Sequence, residues 1–259
     1  MSSSPSSGGS TAGGADAVEI DIRSKRFPAV GAAEARLVLE NLRLSLRFGE
    51  FVGVFGPSGC GKTTLLNIVA GLDPDFQGSV HLAPADCGAI PVIGYVFQNP
   101  RLLPWRTVEE NVRLVLPSHL ATDGQLSEIL DAVGLEDSRH VYPNRLSVGM
   151  SRRVALARAF VIEPELLLMD EPFVSIDVAA ANRLRRLLVS MLDRRPTTVL
   201  FVTHDLREAI SLADRIVVLS GPPAGIVADV AVDIPRDQRS DDTVERFRAK
   251  LLDECGETR

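Results

Sequence analysis

One stretch, "FVGVFGPSGCGKTTLLNIVAGL" (residues 51–72), limits what this chain can fold into more than any other. "FVGVF" is a short continuous apolar run, the pattern of a strand buried on both faces of a parallel sheet. It leads straight into "GPSGCGKTT", which fits G-x-x-x-x-G-K-[ST], and "LLNIVAGL" continues with helical character. Between a strand and a helix, such a loop turns successive backbone N–H groups toward phosphate oxygens, and the helix start adds its positive pole. Gly59 and Gly61 let the backbone bend, Lys62 offers a point charge to β- and γ-phosphates, and the Thr63 hydroxyl suits Mg²⁺. Gly56, Pro57, Ser58, Gly59, Cys60, Gly61, Lys62, Thr63 and Thr64 are therefore candidates for holding a nucleoside triphosphate.

Two further strand ends supply polar groups. "ELLLMDEP" (residues 165–172) is an apolar strand closing on adjacent carboxylates. Asp170 suits Mg²⁺, directly or through water, and Glu171 suits polarising an attacking water. Taken alone, Glu171 could equally be a solvated acid at a strand end. "TTVLFVTHDLREAI" (residues 197–210) ends a third strand at Thr203 and His204, where ligands of parallel sheets collect. His204 could meet a γ-phosphate; the plainer reading is a backbone-satisfied histidine, with Asp205 capping the next helix.

Together these residues resemble the nucleotide-binding subunits of ATP-binding cassette (ABC) transporters. Gly56–Thr64 is similar to the family's Walker A loop and Leu166–Glu171 to its Walker B strand. Gln98 in "YVFQNPRLLPW" resembles the Q-loop glutamine, "LSVGM" the family signature, Asp177 in "VSID" the D-loop aspartate, and His204 the switch histidine. Phe27 stands where the family places an aromatic that stacks on adenine. The likeness runs from Val18 to Pro235 in the family's order. It implies an α/β P-loop (RecA-like) core with a mixed, mostly parallel sheet, an N-terminal antiparallel β subdomain and an inserted helical subdomain at residues 99–160. The implied layout is a disordered tail (1–17), an ATPase domain (18–236) and a C-terminal helical tail (237–259). It also implies ATP and Mg²⁺ as cofactors, Glu171, His204 and Lys62 as catalytic groups, and Thr63, Gln98 and Asp170 around the metal.

The segment "NRLSVGMSRR" (residues 144–153) poses a puzzle that the resemblance addresses. Cations at a helix start face partial positive charge, so Arg152 and Arg153 suggest either solvent or a nearby anion. In the family, two cassettes pack head to tail, so the anion would be ATP held by the partner. Ser147 and the Gly149 N–H would then touch its γ-phosphate, while Ser147 could also cap the helix. The chain departs from the family pattern at Val148, usually glycine, and at Arg152, usually glutamine; "VSID" also differs from the usual D-loop. A β-branched residue disfavours positive φ and adds bulk, so a working but slow ATPase is expected.

The remaining sequence bears on partners. "VEIDI" and "LVLENLRLSLRF" alternate as half-exposed antiparallel strands do. Leu126, Ile129, Leu130 and Val133 recur at helical spacing. In the family the inserted lobe grips the permease, and Leu103 and Trp105 beside Pro104 offer an apolar anchor, unless Trp105 is ordinary core. "RLLPW" and "GPPAGIVADVAVDIPR" are similar to the importer group for nitrate, sulfonates and taurine. "SDDTVERFRAKLLDE" reads as an amphipathic helix with Val244, Phe247 and Leu251 on one side. No apolar run approaches the roughly 20 residues of a spanning helix, so membrane association needs a partner. A net charge of −6 argues against nucleic acid, and three unrelated cysteines (Cys60, Cys87, Cys255) suit a reducing cytosol. The expected partners are permease subunits, a second ATP-binding subunit and, indirectly, a solute-binding protein, at the cytoplasmic face of the membrane. A DNA-maintenance ATPase usually carries long coiled-coil or zinc-bearing insertions, and the compact span from Gly56 to Ser147 has neither. A low-activity regulatory subunit remains the other reading, resting on Val148.

Overall fold

Apolar alternation in the first strands and continuous apolar runs in the later ones sort the chain into two sheets. The computed structural model describes residues 16–29, 34–84, 90–117 and 122–256. The strands are β1 (Asp16–Phe27), β2 (Arg36–Arg47), β3 (Phe51–Phe55), β4 (Gln77–Leu82), β5 (Ile93–Val96), β6 (Leu166–Asp170), β7 (Thr198–Thr203), β8 (Arg215–Leu219) and β9 (Ile226–Ala231). The helices are α1 (Lys62–Val69), α2 (Val108–Arg113), α3 (Asp123–Ala132), α4 (Val148–Phe160), α5 (Val178–Arg194), α6 (Leu206–Leu212) and α7 (Asp241–Cys255). The first fifteen residues of the expected tail lie outside the described residues. Its last two are strand: Asp16 pairs with Arg47, and Ala17 is buried. Cys87 also lies outside the described residues.

The six-stranded sheet has the order β5-β6-β7-β3-β8-β9. Every pairing is parallel except β8 with β9. β3 sits between β7 and β8, so the glycine-rich loop leaves from the interior of the sheet. Alternate residues of β6 feed opposite faces: Leu167 and Met169 join the core with α4 to α7, and Leu166 and Leu168 the core with α1. The three-stranded antiparallel sheet, β2-β1-β4, packs on the α1 side through Ile20, Ile22, Leu42 and Leu44.

Helices α2 and α3 form a third core with the outer face of α4, centred on Val112, Leu126, Leu130 and Val154. Thr107 opens α2 with a reciprocal capping box to Glu110. Asn111, fully buried, donates to the carbonyls of Leu103, Arg106 and Thr107 and accepts from the Leu103 N–H. It thereby fixes the loop bearing Trp105, whose indole is 67% exposed and not core. At the other end of the chain, α7 buries Val244 and Leu251 and half-buries Phe247 against the main core.

Candidate functional site

The loop after β3 takes two backbone conformations that side chains resist. Gly59 has φ +75° and Gly61 φ +116°; a Cβ on Gly61 would fall 2.7 Å from a Val38 methyl. Lys62 is buried, with its ammonium 2.8 Å from the Gly56 carbonyl oxygen and 3.0 Å from that of Pro57. One turn of α1 holds Thr63, whose hydroxyl lies 2.9 and 3.2 Å from the two Asp170 oxygens at the end of β6. Asp170 is 4% exposed, and burial pushes its carboxyl above the ordinary aspartate value, partly opposed by the Thr63 hydrogen bond.

Glu171, with φ +43°, is where β6 turns away from the sheet, and its carboxylate gathers three groups. Gln98 Nε2 donates to Oε2 over 3.2 Å, His204 Nδ1 lies 3.0 Å from the same oxygen, and Lys62 Nζ lies 3.8 Å from Oε1. His204 follows β7 directly and turns to Glu171 rather than to a backbone group, while Asp205 caps α6 as expected by accepting from the Arg207 N–H. Next to His204, Thr203 donates to Glu208, which is paired with Arg185; burial raises the Glu208 carboxyl.

The cleft over the loop is lined by Phe27, Ser58, Gly59, Gly61, Lys62, Thr63, Thr64, Gln98 and Glu171. Gly56, Pro57 and Cys60 lie behind it: the first two give their carbonyls to Lys62, and the Cys60 thiol is buried in the core, which raises its pKa. Two lining residues escaped the sequence reading, Arg36 and Val38. Arg36 sits opposite Phe27 in the β1–β2 register and donates to the Gly59 carbonyl over 3.1 Å. A pairing of the two alternating strands in register was the signal that could have found it.

Ser147, Gly149 and Asp177 do not reach this cleft. They share another, with Val148, Met150 and Arg153, between α3, α4 and α5. Ser147 caps α4, accepting from the Met150 N–H, and Asp177 caps α5, accepting from the Ala180 N–H. Two expectations need correction here. Val148 is the first residue of α4 and is absent from the positive-φ positions, so its backbone is unstrained and only its bulk, 57% exposed, counts. Arg152 is neither solvated nor turned toward an anion: it is buried and donates to the Val174 carbonyl over 3.1 Å. Arg153 donates to the Val133 and Gly134 carbonyls, acceptors just past the end of α3.

A phosphate-type loop on the central strand, its threonine against the aspartate of a nearby strand, defines a P-loop nucleoside triphosphatase. The family model described as ABC transporter matches residues 39–174. The aliphatic sulfonates import ATP-binding protein SsuB 2 of Burkholderia cenocepacia (strain HI2424) is 43% identical over 221 residues, 84% of this chain and 82% of the relative. SsuB of Bacillus subtilis (strain 168) is 38% identical over 246 residues, 93% of this chain and 95% of the relative. Among solved structures, the dimeric post-hydrolysis state of the ATP-binding cassette MJ0796 bound to ADP and Pi matches with TM-score 0.72 at 30% identity, covering 84% of this chain and 100% of that one. The chain belongs to the ABC transporter family, as an ATP-binding and ATP-hydrolysing subunit of the importer group these relatives represent. No helix among the described residues is long and apolar enough to cross a membrane.

Proposed function

We propose that this subunit energises import of a small oxyanionic solute of the sulfonate, taurine or nitrate kind, with Glu171 polarising the attacking water. The observation that carries the catalytic reading is the Glu171 carboxylate, with Gln98 and His204 on one oxygen and the other turned to Lys62. Phe27 stacks the adenine, and the loop N–H groups from Ser58 to Thr64, with Lys62, hold the triphosphate. Water oriented by Glu171 attacks the γ-phosphorus, the bond to the bridging oxygen breaks, and His204 steadies the γ-phosphate.

The Thr63 hydroxyl and the buried Asp170 carboxylate form a hard oxygen pair that fits Mg²⁺, with Gln98 beside them. Bound there, Mg²⁺ would neutralise charge on the β- and γ-phosphate oxygens. Ser147, Gly149 and Asp177, lying in the second cleft, serve the ATP of a partner subunit, and the partner's equivalents serve this one. The dimeric neighbour supports that arrangement. In this reading exposed Trp105 on the helical subdomain is the contact offered to a permease, the subunit works at the cytoplasmic face of the membrane, and the solute-binding protein is an indirect partner. Functionally the chain divides into an N-terminal tail, an ATPase domain over 18–236 whose first strand reaches back to Asp16, with its lobe at 99–160, and a C-terminal helical tail over 237–259.

Glu171→Gln keeps the shape and removes the base. It should lower kcat about 10²- to 10³-fold while ATP affinity stays within about twofold. Phosphate release and nucleotide binding, measured side by side with wild type, check this; equal rates in the two proteins exclude Glu171 as the base.

A further inference from the structure

We propose that Arg152 is a positioning residue for hydrolysis, tying the turn that carries Glu171 to the helix that begins at Ser147. The proposal rests on Glu171 acting as the base.

Arg152 lies on the second turn of α4 with only 5% of its surface exposed. Its Nη2 donates to the Val174 carbonyl, while Nε and Nη1 have no partner among the described residues. Donors buried without acceptors are costly, and an apolar side chain of similar volume would avoid that cost. The single bond to Val174 is therefore what the buried cation contributes. Its acceptor lies in a short turn held in unfavourable backbone geometry. Glu171 has φ +43° and Ser175 φ +60°, both left-handed without being glycine, on either side of Val174. The Val174 N–H closes the turn on the Glu171 carbonyl over 3.2 Å, and the Glu171 N–H is held by the Val202 carbonyl over 3.0 Å. Phe173, in the same turn, is covered by the Arg185 guanidinium, 5.2 Å from the ring centre. A strained turn tethered at Val174 keeps its first residue in place; an untethered one has an easy way to relax. The chain of contacts is short: signature helix, Arg152, Val174, Glu171.

The other α4 arginines work alike on other segments. Arg153 holds the end of α3, and Arg158 donates to the carbonyls of Pro100 and Arg101, just after Gln98. Only Arg152 reaches the segment that bears the carboxylate.

The experiment is a double-mutant cycle on the full-length chain, with ATPase kinetics and nucleotide binding. Arg152→Met should lower kcat about tenfold with KM for ATP changed less than about twofold, because the phosphate loop is untouched. Arg152→Gln, which restores a donor, should regain a large part of that loss. In the Glu171→Gln background, read by single-turnover hydrolysis, Arg152→Met should cost less than about twofold more, since the group it positions is already inactive. Equal fold losses in both backgrounds, or a loss of ATP affinity matching the fall in kcat, overturn the proposal. If Glu171→Gln alone hydrolyses ATP at the wild-type rate, the reading of Glu171 falls by itself. Amide hydrogen exchange then judges the tether: faster exchange at Val174 in Arg152→Met, largely reversed in Arg152→Gln, supports it, and unchanged exchange in Arg152→Met removes it. Should Arg152→Met not fold, Arg152→Gln and Arg152→Lys carry both readouts.

Discussion

Val148 has an ordinary helical backbone at the head of α4, so its side chain acts only by occupying the cleft it shares with Ser147 and Gly149. Val148→Gly is expected to raise ATP turnover by about two- to fivefold, seen as faster phosphate release; an unchanged rate means the cleft tolerates the methyls. Asp170 makes a prediction of opposite character. Its carboxyl titrates above the ordinary value because it is buried, so the ionised form costs stability as pH rises through that raised value. Without Mg²⁺ at neutral pH, Asp170→Asn should melt higher than wild type, a gain that shrinks as pH falls and the native carboxyl protonates. The same variant should lose ATP hydrolysis. Thermal unfolding across pH checks the first outcome. At this scale the loop, Asp170 and Glu171 were legible because their chemistry is written in contiguous residues. Arg36 and the buried contact of Arg152 were not, because their partners Gly59 and Val174 lie more than twenty residues away.

Secondary elements show the same division. Continuous apolar runs marked β3, β6 and β7, and alternation marked β1 and β2, because each pattern reflects which faces are covered. The short helices of the inserted subdomain owe their positions to side-chain contacts as much as to periodicity. Asn111 is the clearest case: an amide that reads as an ordinary polar helix residue is a fully buried clamp on residues 103–107. Asn111→Ala removes the side-chain partner of the Leu103 N–H and the Arg106 carbonyl, while the Leu103 and Thr107 carbonyls keep the N–H groups of Arg106 and of residue 111, and should cost about 2 kcal/mol of stability. It should also free the loop that presents Trp105. Since the chain has one tryptophan, fluorescence anisotropy reads that motion directly, with lower anisotropy expected in the variant. Unchanged anisotropy would assign the order of the loop to other contacts.

For the molecule as a whole, the parallel core and the antiparallel sheet beside it followed from strand patterns, whereas the separation of the two clefts did not. Nothing in the spacing of Lys62 and Ser147 says that one chain keeps them apart; the family resemblance implied it, and α4 docked beyond the sheet puts them in separate clefts. If Ser147 serves the ATP of a partner subunit, as proposed above, a chain built this way owns half of each of two reaction centres. Pair a copy carrying Lys62→Ala with one carrying Ser147→Ala, and both defects fall in the same centre, leaving the other intact. The mixture should regain about half the wild-type ATPase rate per mixed pair while each variant alone stays nearly inactive. Complementation between two dead proteins would then be the inheritance of a molecule whose two clefts serve two different ATP molecules.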